Sequence, residues 1–148
     1  MNRINENIAP YDEAAADEYD KALVFALKKW IADEINEIYD NKVCALCFTI
    51  APAAYGWCGA IGYDTANAGN GAEELSLWKK SFLASIDDDE NVDGSLEIWI
   101  KFKGWDFSDS RITPSYLSLV QAAVQSLMQD GIFAERFGSD MPAIHYYA

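Results

Sequence analysis

The residues best placed to do chemistry lie in "DDDENVDGSLEIWIKF", residues 87–102. Counted from Asp89, the oxygen-bearing side chains of Asp89, Asn91 and Asp93 alternate, and Gly94 follows. That is how a calcium loop begins: alternate oxygens converge on a hard cation and glycine permits the sharp turn. Leu96 takes the apolar eighth place of such a loop and Glu97 the ninth. The twelfth place is Ile100, where a bidentate Glu would complete the shell. The exit also reads as a strand rather than a helix. The same residues form an ordinary solvated turn, because Asx side chains bond nearby backbone and glycine takes positive φ. The turn is the first reading. A calcium-binding or calcium-stabilised module on Asp89, Asn91, Asp93 and Glu97 is the alternative.

"CALC", Cys44 to Cys47, invites a zinc or redox reading, and Cys58 with His145 makes up a nominal Cys₃His set. Inside a strand, however, side chains three apart point to opposite faces, so the two thiols cannot share a metal. Thioredoxin-like CxxC motifs sit at a helix start, and no second CxxC occurs. Buried thiols behaving as small hydrophobes are the simpler expectation. Nucleophilic catalysis finds few candidates, since His145 is the lone histidine and G-x-S-x-G, H-E-x-x-H and the P-loop are all absent. Carboxylates are plentiful, so a small enzyme using them stays as a third class, but none is singled out as a buried pair. No cofactor is expected.

Acids outnumber bases 24 to 11 over 148 residues, a formal charge of −13. A field of that sign opposes nucleic acid and anionic lipid and favours a basic protein surface. Five Trp, eight Tyr and seven Phe exceed what a core of this size usually needs, with Trp57, Trp78, Trp99, Trp105, Phe107 and Tyr146–Tyr147 the candidates for surface work. If Leu96, Ile98 and Ile100 face the core, Trp99 shares the solvent side with Glu97 and Lys101. An exposed Trp beside an acidic loop is what a protein-binding hot spot looks like. Asp87, Asp88, Asp89, Glu90 and Asp93 around Trp99 are therefore the expected partner-binding patch.

The elements that must position these residues fit one domain over 1–148, with an irregular acidic lead-in at 1–12. From Glu13 to about Tyr39 apolar residues recur at three- and four-residue steps (Ala16, Tyr19, Leu23, Leu27, Trp30, Ile31, Ile35, Ile38), with Asp12 as N-cap. "KVCALCFTI" is apolar almost throughout, which predicts a central strand, and "APAAYG" turns the chain into a second strand, "WCGAIGYDT". "ANAGNGA", residues 66–72, is a loop without a phosphate-binding fingerprint. Leu75, Trp78, Phe82 and Ile86 predict a helix over 73–86, with a strand from Ser81 to Ile86 as the competing reading. "SLEIWIKF" alternates as a strand. Thr113 and Pro114 open a further helix, Gly131 closes it, and "PAIHYYA" supplies a last edge strand. The order predicts an α+β fold, a mainly antiparallel sheet of about four strands with two or three helices packed on one face.

The early amphipathic helix, the aliphatic strand "KVCALCFTI", and "LMQDGIFAERFG" running into "IHYYA" resemble small acidic bacterial α+β proteins. These include a domain-of-unknown-function family and the broader group of toxin-neutralising immunity proteins. The resemblance transfers no site residue, and "DDDENVDG" is outside it. It implies an intracellular partner-binding protein, and the acidic charge and surface aromatics make the expected function a non-enzymatic interaction domain, an immunity-type inhibitor, binding a basic protein such as a toxin. The start of the chain lacks a basic segment followed by an apolar one, and no apolar run approaches the roughly 20 residues a bilayer requires, so a cytoplasmic location is expected.

Overall fold

A computed structural model describes residues 1–53 and 56–148. The first long helix, α1 (Glu18–Ile35), starts later than its apolar repeat. Asp12 caps only a single 3₁₀ turn at Glu13–Ala15, after which Ala16 is extended. Asp17 is the true cap: its Oδ1 accepts from the Tyr19 and Asp20 backbone N–H groups, and Asp20 Oδ2 accepts from the Asp17 N–H. This reciprocal arrangement satisfies donors that the first turn otherwise leaves orphaned. Leu23, Leu27, Trp30, Ile31 and Ile35 form the buried stripe. At the other end Arg136 donates to the Ile35 and Ile38 carbonyls, replacing the partners that the helix terminus lacks.

The strands are β1 (Val43–Ala53), β2 (Gly56–Thr65), β3 (Lys80–Ser85) and β4 (Ala143–Tyr147), in sheet order β3-β2-β1-β4. β1 is central, as its apolar run predicts. Leu46, Phe48 and Ile50 join the main core, whereas Ala45 and Cys47 join a small cluster with Trp78 and Tyr147 on the other face. The paired strands run on to Ala53 and Gly56, inside the turn expected at 51–56. Residues 54 and 55 lie outside the described residues.

The helix expected over 73–86 is corrected in favour of the competing strand. Leu75–Leu77 make one 3₁₀ turn and β3 pairs antiparallel with β2. Trp78 is drawn into the small cluster, its indole N–H donating to the Ala72 carbonyl at 2.6 Å, which holds the segment off a helical path. Gly62 allows the close approach of β3, since a Cβ there would overlap the Ser81 carbonyl.

"SLEIWIKF" is likewise corrected: it belongs to α2 (Glu90–Lys103). Asp89 Oδ1 accepts from the Asn91 and Val92 N–H groups, and Gly104, at φ 73°, ends the helix with its N–H on the Lys101 carbonyl. Acids fill the first turn and lysines the last, as the helix dipole favours. Val92, Leu96, Trp99 and Ile100 are buried at helical spacing, so Trp99 faces the core and not solvent.

α3 (Ile112–Gln129) begins just ahead of the Thr113–Pro114 signal and buries the expected Tyr116, Leu119, Val120, Ala123 and Leu127. Gly131 ends it at φ 78°, and a short α4 (Ile132–Phe137) follows. β4 is an edge strand, but it pairs parallel to β1, so the sheet is mixed rather than uniformly antiparallel. Among the described residues four helices contribute side chains to one core cluster, more than the two or three expected. The lead-in is less irregular than expected near its start. Asn2 and Ala148 exchange backbone hydrogen bonds, the Ile4 N–H donates to the Tyr146 carbonyl, and Arg3 bridges to Tyr147. The described helices include none long and apolar enough to cross a membrane.

Candidate partner-binding surface

α1 and α2 lie side by side in opposite directions. Lys103, at the end of α2, reaches Asp17 and Asp20 at the start of α1. Asp89 and Asn91, at the start of α2, line a groove with Ala26 and Lys29 further along α1. The buried stripes of both helices join the main core, so each presents an outer edge. On α1 that edge runs through Tyr19, Ala22, Phe25 and Lys29, and on α2 through Asn91, Ser95, Ile98 and Phe102, at three- and four-residue steps.

This edge carries apolar side chains that the core does not use. Phe25 is 75% exposed, Phe102 61% and Ile98 49%. Tyr19 and Phe102 stack with centroids 3.9 Å apart and rings 14° from parallel, joining the two helices along this edge. The groove has a volume of about 400 Å³, with Phe25 on one bank and Ser95 on the other.

Its far end is acidic. Burial, and then the neighbouring charges of Glu37, Asp33, Asp89 and Asp88, push the Glu34 carboxyl above the ordinary glutamate range. Acids from the end of α1 and the start of α2 therefore crowd one location, and a cation brought there lowers the energy of all of them.

Of the expected patch, Asp87, Asp88, Glu90 and Asp93 are exposed and Asp89 is half-buried as the α2 cap. Trp99 is removed from the patch: it is 1% exposed, and its indole N–H donates to Asp20 Oδ1 at 2.7 Å. Ile98 and Phe102 take its place on the surface, with Phe25 opposite. Their signal was available in the sequence, since Phe25 falls off the Leu23–Leu27–Trp30 stripe. It could be read only once 90–103 was taken as a helix.

The calcium-loop geometry is not formed. Asn91 and Asp93 lie in the first turn of α2, where side chains two apart are rotated by about 200°, and Asp89 is its extended cap. Asp89 Oδ1 is already engaged by backbone, and Glu97 is exposed on a later turn. Nor does the Cys₃His set assemble: among the described residues no three His, Cys, Asp or Glu side chains gather to hold a metal. Cys58 lies beside Ser85. Cys47 and His145 are register partners on adjacent strands, but burial pushes the Cys47 thiol up to about 12, and it points at the Ser81 carbonyl at 3.6 Å. Burial and Arg3 together lower His145. A thiol so strongly held in its protonated form is a poor nucleophile.

Asp64 organises the same face of the sheet. Its Oδ1 accepts from the Thr65, Gly69 and Lys79 N–H groups and its Oδ2 from Gly71, at 2.8–3.0 Å. Burial alone would raise this carboxyl, but the four donors bring it below the ordinary aspartate range. That fixes the 66–72 loop, onto which Arg3 also donates at the Gly71 and Ala72 carbonyls. Every oxygen is in use for structure. No family model, curated protein or solved structure matches this chain.

Proposed function

We propose that this chain is a non-enzymatic interaction domain that binds a basic protein along the α1–α2 outer edge, as an immunity-type inhibitor binds its toxin. One observation carries the reading: Phe25, Ile98 and Phe102 stand exposed on a single inter-helix edge whose end gathers the acids around Glu34. Exposed apolar residues with an acidic cluster at one end fit a partner that is apolar at the centre of its contact and basic at one side of the rim. The overall charge of −13 adds long-range steering of such a partner and disfavours nucleic acid or anionic lipid in its place. The small-enzyme and calcium readings draw on no comparable arrangement.

A photo-crosslinking amino acid at position 98, with a control at exposed Glu135 on α4, tests this in the cells the protein comes from. The expected result is a discrete adduct to one basic protein from position 98 alone, weakened by added salt and by Asp88→Asn. An acidic adduct partner, or equal labelling from both positions, would overturn it.

A further inference from the structure

A second cavity, also about 400 Å³, opens where the lead-in, the start of α1, the end of α2 and the start of α3 meet. Its walls are aromatic and apolar: Tyr11, Trp99, Trp105, Pro114 and Leu119. Asp12 and Asp20 line it beside Lys103 and Arg111. Asp17 and Asp109 lie outside the lining and hold those two cations, and Lys103 also reaches Asp20. Among the described residues Asp12 is thus the lining carboxylate with no ion-pair partner.

Those two cations already illustrate what the cavity takes. Lys103 Nζ is 3.0 Å from Asp17 and 3.2 Å from Asp20, and its side chain is 27% exposed, so it is a fixed part of the wall. Arg111 sits at the mouth, 67% exposed, with its guanidinium carbon 5.2 Å from the Trp105 ring centroid and a two-pronged contact to Asp109. Trp105 in turn packs edge-on against Trp99, centroids 5.5 Å apart, so the ring is held in place whether or not Arg111 covers it. The cavity adjoins the proposed partner surface, because Asp20 lines the one and Tyr19, its neighbour in sequence, stacks on Phe102 in the other.

We propose that this cavity receives an arginine side chain of the basic partner, its guanidinium over Trp105 and beside Asp12, its stem against Pro114 and Leu119, with Arg111 displaced from the ring. Arginine fits better than lysine. A planar guanidinium stacks on an indole and bonds a carboxylate through two N–H groups, whereas an ammonium is a compact, strongly hydrated point charge. Arg111 is the chain's own precedent for the geometry, and its exposure makes it replaceable. The proposal rests on the basic-partner reading, but its test does not require the partner.

The test titrates Nα-acetyl-arginine methylamide and the matching lysine compound into the whole chain, following the tryptophan indole N–H resonances. The expected result is a saturable shift at Trp105 and Trp99, with arginine about tenfold tighter than lysine. Arg111→Ala should tighten arginine binding severalfold by removing the internal competitor, and Asp12→Asn should weaken it severalfold. Absence of a saturable shift at Trp105, an equal response to both compounds, or weaker binding by Arg111→Ala would overturn the assignment. A failed titration beside a position-98 adduct removes the cavity and leaves the partner. A successful titration without an adduct does the reverse.

Discussion

Trp99 and Asp20 are 79 residues apart in sequence and 2.7 Å apart in space, joined by the indole N–H and a carboxylate oxygen. The bond ties α2 to α1 at the level where Lys103 also reaches Asp20. Trp99→Phe keeps most of the ring and loses the bond, which should cost about 1–2 kcal/mol. Trp99→Ala also empties the core position and should cost about 3–5 kcal/mol. Urea unfolding of the two variants separates these contributions. A Trp99→Ala cost no larger than that of Trp99→Phe would mean the ring is not packed as described.

Asp89 is a helix cap, so its removal has a helix-cap cost. Asp89→Ala should lose about 1 kcal/mol of stability. Calcium at millimolar concentration should raise the melting temperature of the native chain no more than magnesium does. A specific cation at a hundred times its dissociation constant would add about 2.7 kcal/mol. A calcium-specific rise that disappears in Asp93→Ala would restore the ion-loop reading of residues 89–97.

Asp64 should make stability sensitive to acid. Its folded-state carboxyl lies below the ordinary aspartate range, so its contribution is fully present above the unfolded value of about 3.9 and is lost as pH falls through the lower, folded value. Asp64→Ala leaves four backbone donors without their acceptor and should cost more than about 3 kcal/mol at neutral pH. That penalty should shrink in strong acid, where the native carboxylate is itself protonated. Equilibrium unfolding at pH 7 and below pH 3 checks both parts.

Glu34 should behave in the opposite sense. Its folded-state carboxyl is raised by burial and by four neighbouring acids, so the folded chain holds the proton longer and loses stability as pH rises through the carboxylate range. Glu34→Gln should stabilise the chain at neutral pH by roughly half a kcal/mol, the scale of a like-charge contact on a helix, and by nothing in strong acid. A gain independent of pH would point to packing instead of charge. A basic partner binding here should also draw the proton off Glu34 and bind more weakly in acid.

The α+β class, the central β1 and the Gly131 helix ending were legible because each rests on local chemistry: a doubly covered strand is apolar throughout, and a left-handed terminus favours glycine. α2 was misread because its pattern satisfies two periods at once. Leu96, Ile98 and Ile100 alternate like a strand, while Val92, Leu96, Trp99 and Ile100 repeat like a helix. The choice is made by Asp89 and Gly104 at its ends and by Asp20 from a distant helix, and the last of these is tertiary. β3 failed in the reverse direction, since helical spacing from Leu75 to Ile86 was coincidental and the deciding neighbour is Gly62 on β2. Of the acids gathered at the candidate surface, Asp88 and Asp89 stand out in the sequence as part of an acidic run, whereas Asp33 and Glu34 on α1 and Glu37 just beyond it do not. The apolar part was not legible, because which of Trp99 and Ile98 meets solvent follows entirely from the period assigned to α2.

The parallel pairing of β4 with β1 has a consequence for the growing chain. β1, β2 and β3 are contiguous enough to pair once residue 85 has left the ribosome, and α1 precedes them all. The remaining edge of β1 must wait, since Ala45 through Thr49 find their partners only in Ala143 through Tyr147. Contacts of such long separation are slow to form, and an apolar strand edge left open in the interval invites pairing with other chains. During synthesis the molecule therefore passes through a stage in which its helices and three strands exist while its central strand is an unguarded edge. Ribosome stalling or truncation before residue 143 prolongs that stage and favours aggregation over folding.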